Sequence, residues 1–313
     1  MRPLRPGRAG PARPPRADPA VAAGIAIAIA AISTAPVLVR VAHVPALALA
    51  FWRCLAGSAL LAPFALRGGE RPARAEAGRL AAAGVLLAFH FALFNASLSF
   101  TTVASSATLV SCSPLFVGLG GRLLGEPPTR RAWLGIALAV AGAGLIGLGD
   151  ATGLDLGRRA LLGDTLAFAG AAMIAGYLLL GRVARRRLPV ATYATWVYGI
   201  AAAALLPACL LAGAALGGYR TGSWLAVAGV VAGPQLLGHT VFNGLLSRVS
   251  ATVVAVVTLI EPVGATLLAW LLFRELPATA FWLGAPLVLA GVWLAATRGG
   301  RAGAHPAPVG SPG

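Results

Sequence analysis

The sequence contains no lysine: all 25 of its basic residues are arginine. Acids are scarce, nine in 313 residues, and charged side chains of every kind make up 11% of the chain. That is less than half the roughly 25% of an ordinary soluble domain. A water-soluble fold is excluded, because it would lack the charge to cover its surface. Cysteine is sparse too. Cys54, Cys112 and Cys209 each sit in an apolar run and form no CxxC pair, which removes a disulfide framework and a thiolate metal or redox motif. Without lysine there is no Walker A loop to drive ATP-powered pumping. Four histidines, one of them near the C-terminus, and a single acid inside an apolar run leave too little for an intramembrane enzyme constellation.

What is present is apolar. Hydrophobic residues are 58% of the chain and the mean hydropathy is +0.83. Runs of about 20 apolar residues cross a bilayer as helices, and ten are predicted: 20–40, 44–66, 80–98, 102–122, 132–149, 162–181, 190–211, 224–245, 251–273 and 279–297. The first run is longer than the roughly 7–15 residues of a signal-peptide core and is read as a retained helix. Residues 1–19 and 299–313 are expected to be disordered tails, the first of them strongly basic.

The formal charge of +16 and pI of about 11.7 invite a nucleic-acid partner, which would need arginines gathered on one folded face. They lie between spans instead. With the N-terminus in the cytoplasm, nineteen arginines fall on the cytoplasmic side, five on the other and one, Arg53, inside a span. By the positive-inside rule both termini are cytoplasmic and the protein is a multi-pass component of the cytoplasmic membrane. No nucleic acid and no cofactor or metal is expected; the lipid bilayer is.

The two halves repeat each other. Pro114, Glu126 and Trp133-Leu-Gly135 recur as Pro262, Glu275 and Trp282-Leu-Gly284. Phe94-Asn95 recurs as Phe242-Asn243, and Pro45 and Trp52 recur as Pro189 and Trp196. The predicted units are residues 20–150 and 151–298. Five spans per half is an odd number, so the second copy starts on the opposite face and the repeats are inverted. Inverted repeats are a common construction of secondary transporters, with the substrate site near the midplane.

The twice-repeated pattern of an intrahelical Pro, a Gly-Glu at the helix end, Trp-Leu-Gly and an Ala-Gly run resembles the EamA-type drug/metabolite transporters. Here it stands as Pro114, Gly125-Glu126, Trp133-Leu-Gly135 and Ala141-Gly142, then Pro262, Arg274-Glu275, Trp282-Leu-Gly284 and Ala290-Gly291. Phe51-Trp52-Arg53 also fits. The second copy departs from the pattern in having Arg274 for glycine and one extra residue before its Glu. The resemblance covers about residues 20–297. It implies an all-α membrane protein of ten helices that exports, or less often imports, small metabolites, amino acids or drugs.

Charge at membrane depth costs roughly 2.5–3.5 kcal/mol on insertion scales, so Arg53 and Glu261 carry most information. Glu261 precedes Pro262 mid-span. It takes up a coupling proton, pairs with a cationic substrate, or makes a structural hydrogen bond. Arg53, about 12 Å of helix below the outer end of its span, binds a substrate carboxylate, snorkels, or pairs with Glu261. His90 is a proton relay or a helix–helix hydrogen bond, and the same alternatives cover His239, Gln235 and Asn243 in the repeat-related eighth span. Asn95, Trp52, Tyr177, Trp196 and Ser113, with Ser105, Thr108 and the other hydroxyls before Pro114, are candidates for cavity lining or for packing. Pro114 and Pro262 break their helices. Glu126 and Glu275 are structural, with Arg130 and Arg131 as the nearby partners. The expected partners are a small-molecule substrate and, as candidate coupling ion, protons; a homodimer is a candidate assembly.

Overall fold

The computed structural model describes residues 18–97, 100–101, 106, 109–150, 158–274, 276–277 and 279–296. Residues 1–17, the C-terminal tail, Ser105, Thr108, Glu275 and part of the fourth predicted span lie outside the described residues, whereas Asp18 and Pro19, expected in the N-terminal tail, belong to the start of α1. Within them every regular element is helical: α1 (Pro19–Ser33), α2 (Ala35–Ala42), α3 (Ala46–Arg67), α4 (Arg74–Ser97), α5 (Ser113–Gly121), α6 (Arg130–Asp150), α7 (Arg158–Ala184) and α8 (Val190–Leu211). The order continues through α9 (Thr221–Val230), a π-helical stretch (Val231–Thr240), α10 (Val241–Leu245), α11 (Ala251–Val257), α12 (Glu261–Phe273) and α13 (Thr279–Ala296).

Seven helical segments are long and apolar enough to cross a membrane: 19–42, 46–67, 74–97, 159–184, 190–211, 221–245 and 251–273. Thr279–Ala295 adds a shorter apolar helix, and α6 is 21 residues long. The chain is therefore an all-helical, multi-pass membrane protein. Its outer surface agrees, since Leu66, Leu123, Leu211, Leu225 and Trp293 are largely exposed where lipid tails replace water.

Local sequence explains the helix ends. Asp18 accepts a hydrogen bond from the Ala20 amide and Pro19 opens α1, a combination that satisfies an orphan donor and presets φ. Pro36 at the start of α2 breaks the first span at Thr34. Pro45 and Pro189 each precede a helix of 22 residues carrying an internal proline, Pro63 in α3 and Pro207 in α8. In the second half Glu261 and Pro262 open α12 after a 3-10 turn, Thr258–Ile260. In the first, Ser113 and Pro114 open α5. Gly125 and Arg274 close these paired segments with φ of +70° and +59°. The turn geometry survives the replacement of glycine by arginine, at a cost of about 1–2 kcal/mol for a left-handed L-residue.

Packing repeats as the sequence does. The first span lies along the π-helical stretch of the eighth, and its counterpart α7 lies along α4, the counterpart of the eighth. Helix α3 packs on its own counterpart α8, α5 of the fourth span on α11 of the ninth, and α6 on α13. Taken span by span, exchanging the halves maps this set of pairs onto itself. At the α6–α13 crossing a Cβ on Gly135 would lie 2.6 Å from the Gly291 carbonyl oxygen, and one on Gly142 would lie 2.7 Å from that of Gly284. The two helices are antiparallel there, with backbones touching where glycines allow close approach.

Candidate functional site

The polar residues of the interior gather where α3, α4, α7, α8 and the eighth span meet. Arg53, seven residues into α3, is 8% exposed and Gln235 is fully buried. The Arg53 Nε donates to Gln235 Oε1 at 2.7 Å, and its guanidinium lies 4.5 Å from the centroid of the Phe91 ring, a cation–π arrangement. The His239 ring meets the same Phe91 edge-on, centroids 6.0 Å apart. Gly57, one turn beyond Arg53, leaves the room: a Cβ there would stand 3.0 Å from Gln235 Cγ.

From Gln235 a chain of hydrogen bonds runs on. The Thr240 hydroxyl donates to the Gln235 carbonyl at 3.1 Å and lies 3.1 Å from the Tyr198 hydroxyl. Asn243 Nδ2 donates to Tyr198 at 3.2 Å, and the Tyr177 hydroxyl donates to Asn243 Oδ1 at 2.7 Å. Three helices and the π-helical stretch are tied in one network. Pro234 helps to make this stretch: without an amide hydrogen it cannot complete an α-helical bond, and the wider π register often marks functional sites.

Glu261 is half-buried at the start of α12. It and Arg53 act on each other electrostatically, as do Arg53, His90 and His239. Among the described residues there is no direct ion pair between Arg53 and Glu261; the side-chain hydrogen bond of Arg53 goes to neutral Gln235. The Arg53 Nη2 and Gln235 Nε2 atoms are buried and have no hydrogen-bond partner among the described residues.

The other sequence candidates fall elsewhere. His90 Nδ1 lies 3.0 Å from the Gly170 carbonyl of α7, and Asn95 Nδ2 donates to the Ala46 carbonyl at 2.9 Å; both bonds join helices. Trp52 donates to the Leu216 carbonyl at 2.9 Å and lines, with Leu60, Trp224 and Leu236, an apolar groove of about 310 Å³. Trp196 is 51% exposed and lines a separate cavity of about 600 Å³ with Leu66, Arg71 and Thr195. Ser113 and Pro114 are buried at the start of α5, while Pro262 is half-buried.

Glu126 is bound not by Arg130 or Arg131 but by Arg182 at 2.8 Å and Arg186 at 2.7 Å. Arg182 also donates to the Leu246 carbonyl at 2.6 Å. The cluster joins the end of α5 in the first half to α7 and α10 in the second. Sequence reasoning missed Arg182 in this role, along with Phe91, Pro234, Tyr198 and Thr240. A Pro-Gln pair inside an apolar span was the available signal for the π-helical stretch.

The site is thus a buried cationic centre in a duplicated helical membrane protein. Residues 20–148 and 161–297 each match the model of the EamA-like transporter family, and the chain belongs to that family. It is a transporter-family protein, not a member of an enzyme family, and a small-molecule substrate follows. An uncharacterized transporter of Archaeoglobus fulgidus is 27% identical over 276 residues, 87% of this chain and 95% of that protein. A solved crystal structure superposes with a TM-score of 0.77 at 20% identity, covering 90% of this chain and 97% of the other; that likeness concerns the fold.

Proposed function

We infer that the chain is a secondary-active carrier of ten membrane helices, two inverted five-helix repeats, which exports small metabolites, amino acids or drugs by alternating access. Its termini lie in the cytoplasm. The observation that carries this reading is the packing that maps onto itself when the halves are exchanged, wrapped around a buried polar chain ending at Arg53. Such a pair of halves rocks between two arrangements of equal packing, opening the centre to either side in turn. Glu261 is the residue in this centre that takes up a proton, so it is the coupling group of a proton-driven cycle.

Flux in proteoliposomes tests this. Saturable, protein-dependent movement of at least one solute class is expected. A Glu261→Gln variant should transport at a rate that no longer changes with the imposed proton gradient. Absence of saturable flux for every solute class would sink the carrier, and gradient-dependent flux in Glu261→Gln would remove the coupling role.

A further inference from the structure

The centre carries an unusual imbalance of hydrogen-bonding capacity. An arginine has five N–H donors in a rigid fork and no acceptor. Here the Nε is satisfied by Gln235, while Nη2, which donates from the same edge of the guanidinium, is buried without a partner. The amide nitrogen of Gln235 is buried without one as well. Two unsatisfied donor groups therefore belong to side chains already bonded to each other. Phe91 covers the guanidinium face at 4.5 Å, leaving its edge as the direction in which it can bind.

Buried donors are normally paired, and a buried cation is normally paired with an anion. Among the described residues Glu261 makes no ion pair or hydrogen bond with Arg53; the bond of Nε goes to neutral Gln235. What the site needs is a planar group with two acceptor oxygens and one negative charge. A carboxylate supplies both acceptors, one oxygen for Arg53 Nη2 and the other for Gln235 Nε2. Among the described residues Arg53 is the one arginine of this buried centre, so a second carboxylate on the solute would be buried without a cation.

We propose that the transported solute carries one carboxylate, which binds the Arg53–Gln235 pair, and that dicarboxylates are rejected. This rests on the carrier reading above and assigns its substrate class. Gln235 positions Arg53 and adds a donor of its own. In the occupied state the carboxylate supplies the partner that Nη2 lacks, so the charge of Arg53 is neutralised by cargo rather than by the protein.

The test is proteoliposome uptake of a matched labelled set: 4-methylpentanoate, L-leucine, 4-methylpentanamide, leucinamide and adipate. The two monocarboxylates should move at least tenfold faster than the two amides and adipate. Arg53→Gln should abolish that preference. Gln235→Glu gives a second arm that does not depend on losing a charge from the core. It places an internal carboxylate beside Arg53, so the melting temperature should hold or rise while monocarboxylate uptake falls at least tenfold. A purely structural Arg53 would give the stability without the loss, which overturns the proposal. Amides or adipate carried as fast as the monocarboxylates overturn it while leaving the carrier intact. No saturable flux for any of the five, nor for organic cations, overturns both.

Discussion

At the scale of single residues the interior is held by hydrogen bonds between helices rather than by apolar packing alone. In a bilayer, such bonds average about 0.6 kcal/mol and reach about 1.7. Asn243 is the hub, fully buried and bonded to Tyr177 and Tyr198. Asn243→Ala removes both bonds and leaves two phenol hydroxyls without that partner, so a loss of about 1–3 kcal/mol is expected. Tyr177→Phe removes one bond and should cost less, about 1 kcal/mol. Reversible unfolding in mixed detergent measures both, and an Asn243→Ala variant as stable as the parent would deny the hub. Arg53, Glu261, His90 and Asn243 stand out in the sequence because polar groups at membrane depth are costly and few. Their partners do not stand out. Gln235 meets Arg53 across 182 positions, and nothing in either segment states that the π-helical turns bring the two together. Tyr198 and Phe91 read as ordinary apolar-span aromatics until their contacts are known. Trp196 illustrates the converse: an aromatic matched to Trp52 by the repeat occupies an exposed position, because α3 and α8 present different faces to their surroundings.

At the scale of elements, the repeat was legible and the crossing it produces was not. The Trp-Leu-Gly and Ala-Gly landmarks sit seven residues apart in each copy, at Gly135 and Gly142 and again at Gly284 and Gly291. The structure reveals why glycine stands at all four: each faces a backbone atom of the other helix at 2.5–2.7 Å from where a Cβ would be. Since Gly135 touches Gly291 and Gly142 touches Gly284, the contact is self-complementary, as at the two-fold interface of a homodimer. Overpacking of this kind typically costs 1–3 kcal/mol. Gly135→Ala and Gly291→Ala should each destabilise by about that amount. The double variant should cost clearly less than their sum, because the first methyl already forces the backbones apart. Gly135→Ala with Gly284→Ala, at opposite ends of the crossing, should come nearer to additivity. Thermal unfolding of the three single and two double variants decides it. Equal additivity in both pairs would mean that the close approach is not shared. The helix-ending turns were half legible: Gly125 announces a left-handed residue, whereas Arg274 conceals one, since arginine adopts that conformation only where the surrounding structure imposes it.

At the scale of the whole molecule, the Glu126 cluster ties the two halves together. Its arginines and its glutamate come from different halves, with side chains of Arg182 and Glu126 only 5% and 15% exposed. In the proposed cycle, where the halves move against each other, a change of access at this end breaks the pair, which then biases the equilibrium toward the closed arrangement. The inverted duplication proposed above would put a counterpart at the other end. The sequence Arg182-Val-Ala184 that ends α7 recurs as Arg40-Val-Ala42 at the end of α2, and Glu126 recurs as Glu275. Arg40 stacks 5.0 Å from the ring of Phe273, two residues before Glu275, which itself lies outside the described residues. On the proposed cycle the Glu126 cluster and the Arg40–Phe273 contact are opposed latches, and weakening one should favour opening at its own end. Thr252, buried beneath the Glu126 end, reports on this once changed to cysteine in a background without the three native thiols. Arg182→Gln should raise the labelling rate of Thr252→Cys by a membrane-impermeant maleimide about tenfold, equivalent to about 1.4 kcal/mol of population shift. Arg40→Gln should lower it, because it stabilises the opposite arrangement. A rise with both substitutions would point to general loosening of the fold instead of opposed latches, and no change with either would leave the Glu126 cluster a fixed brace between the halves.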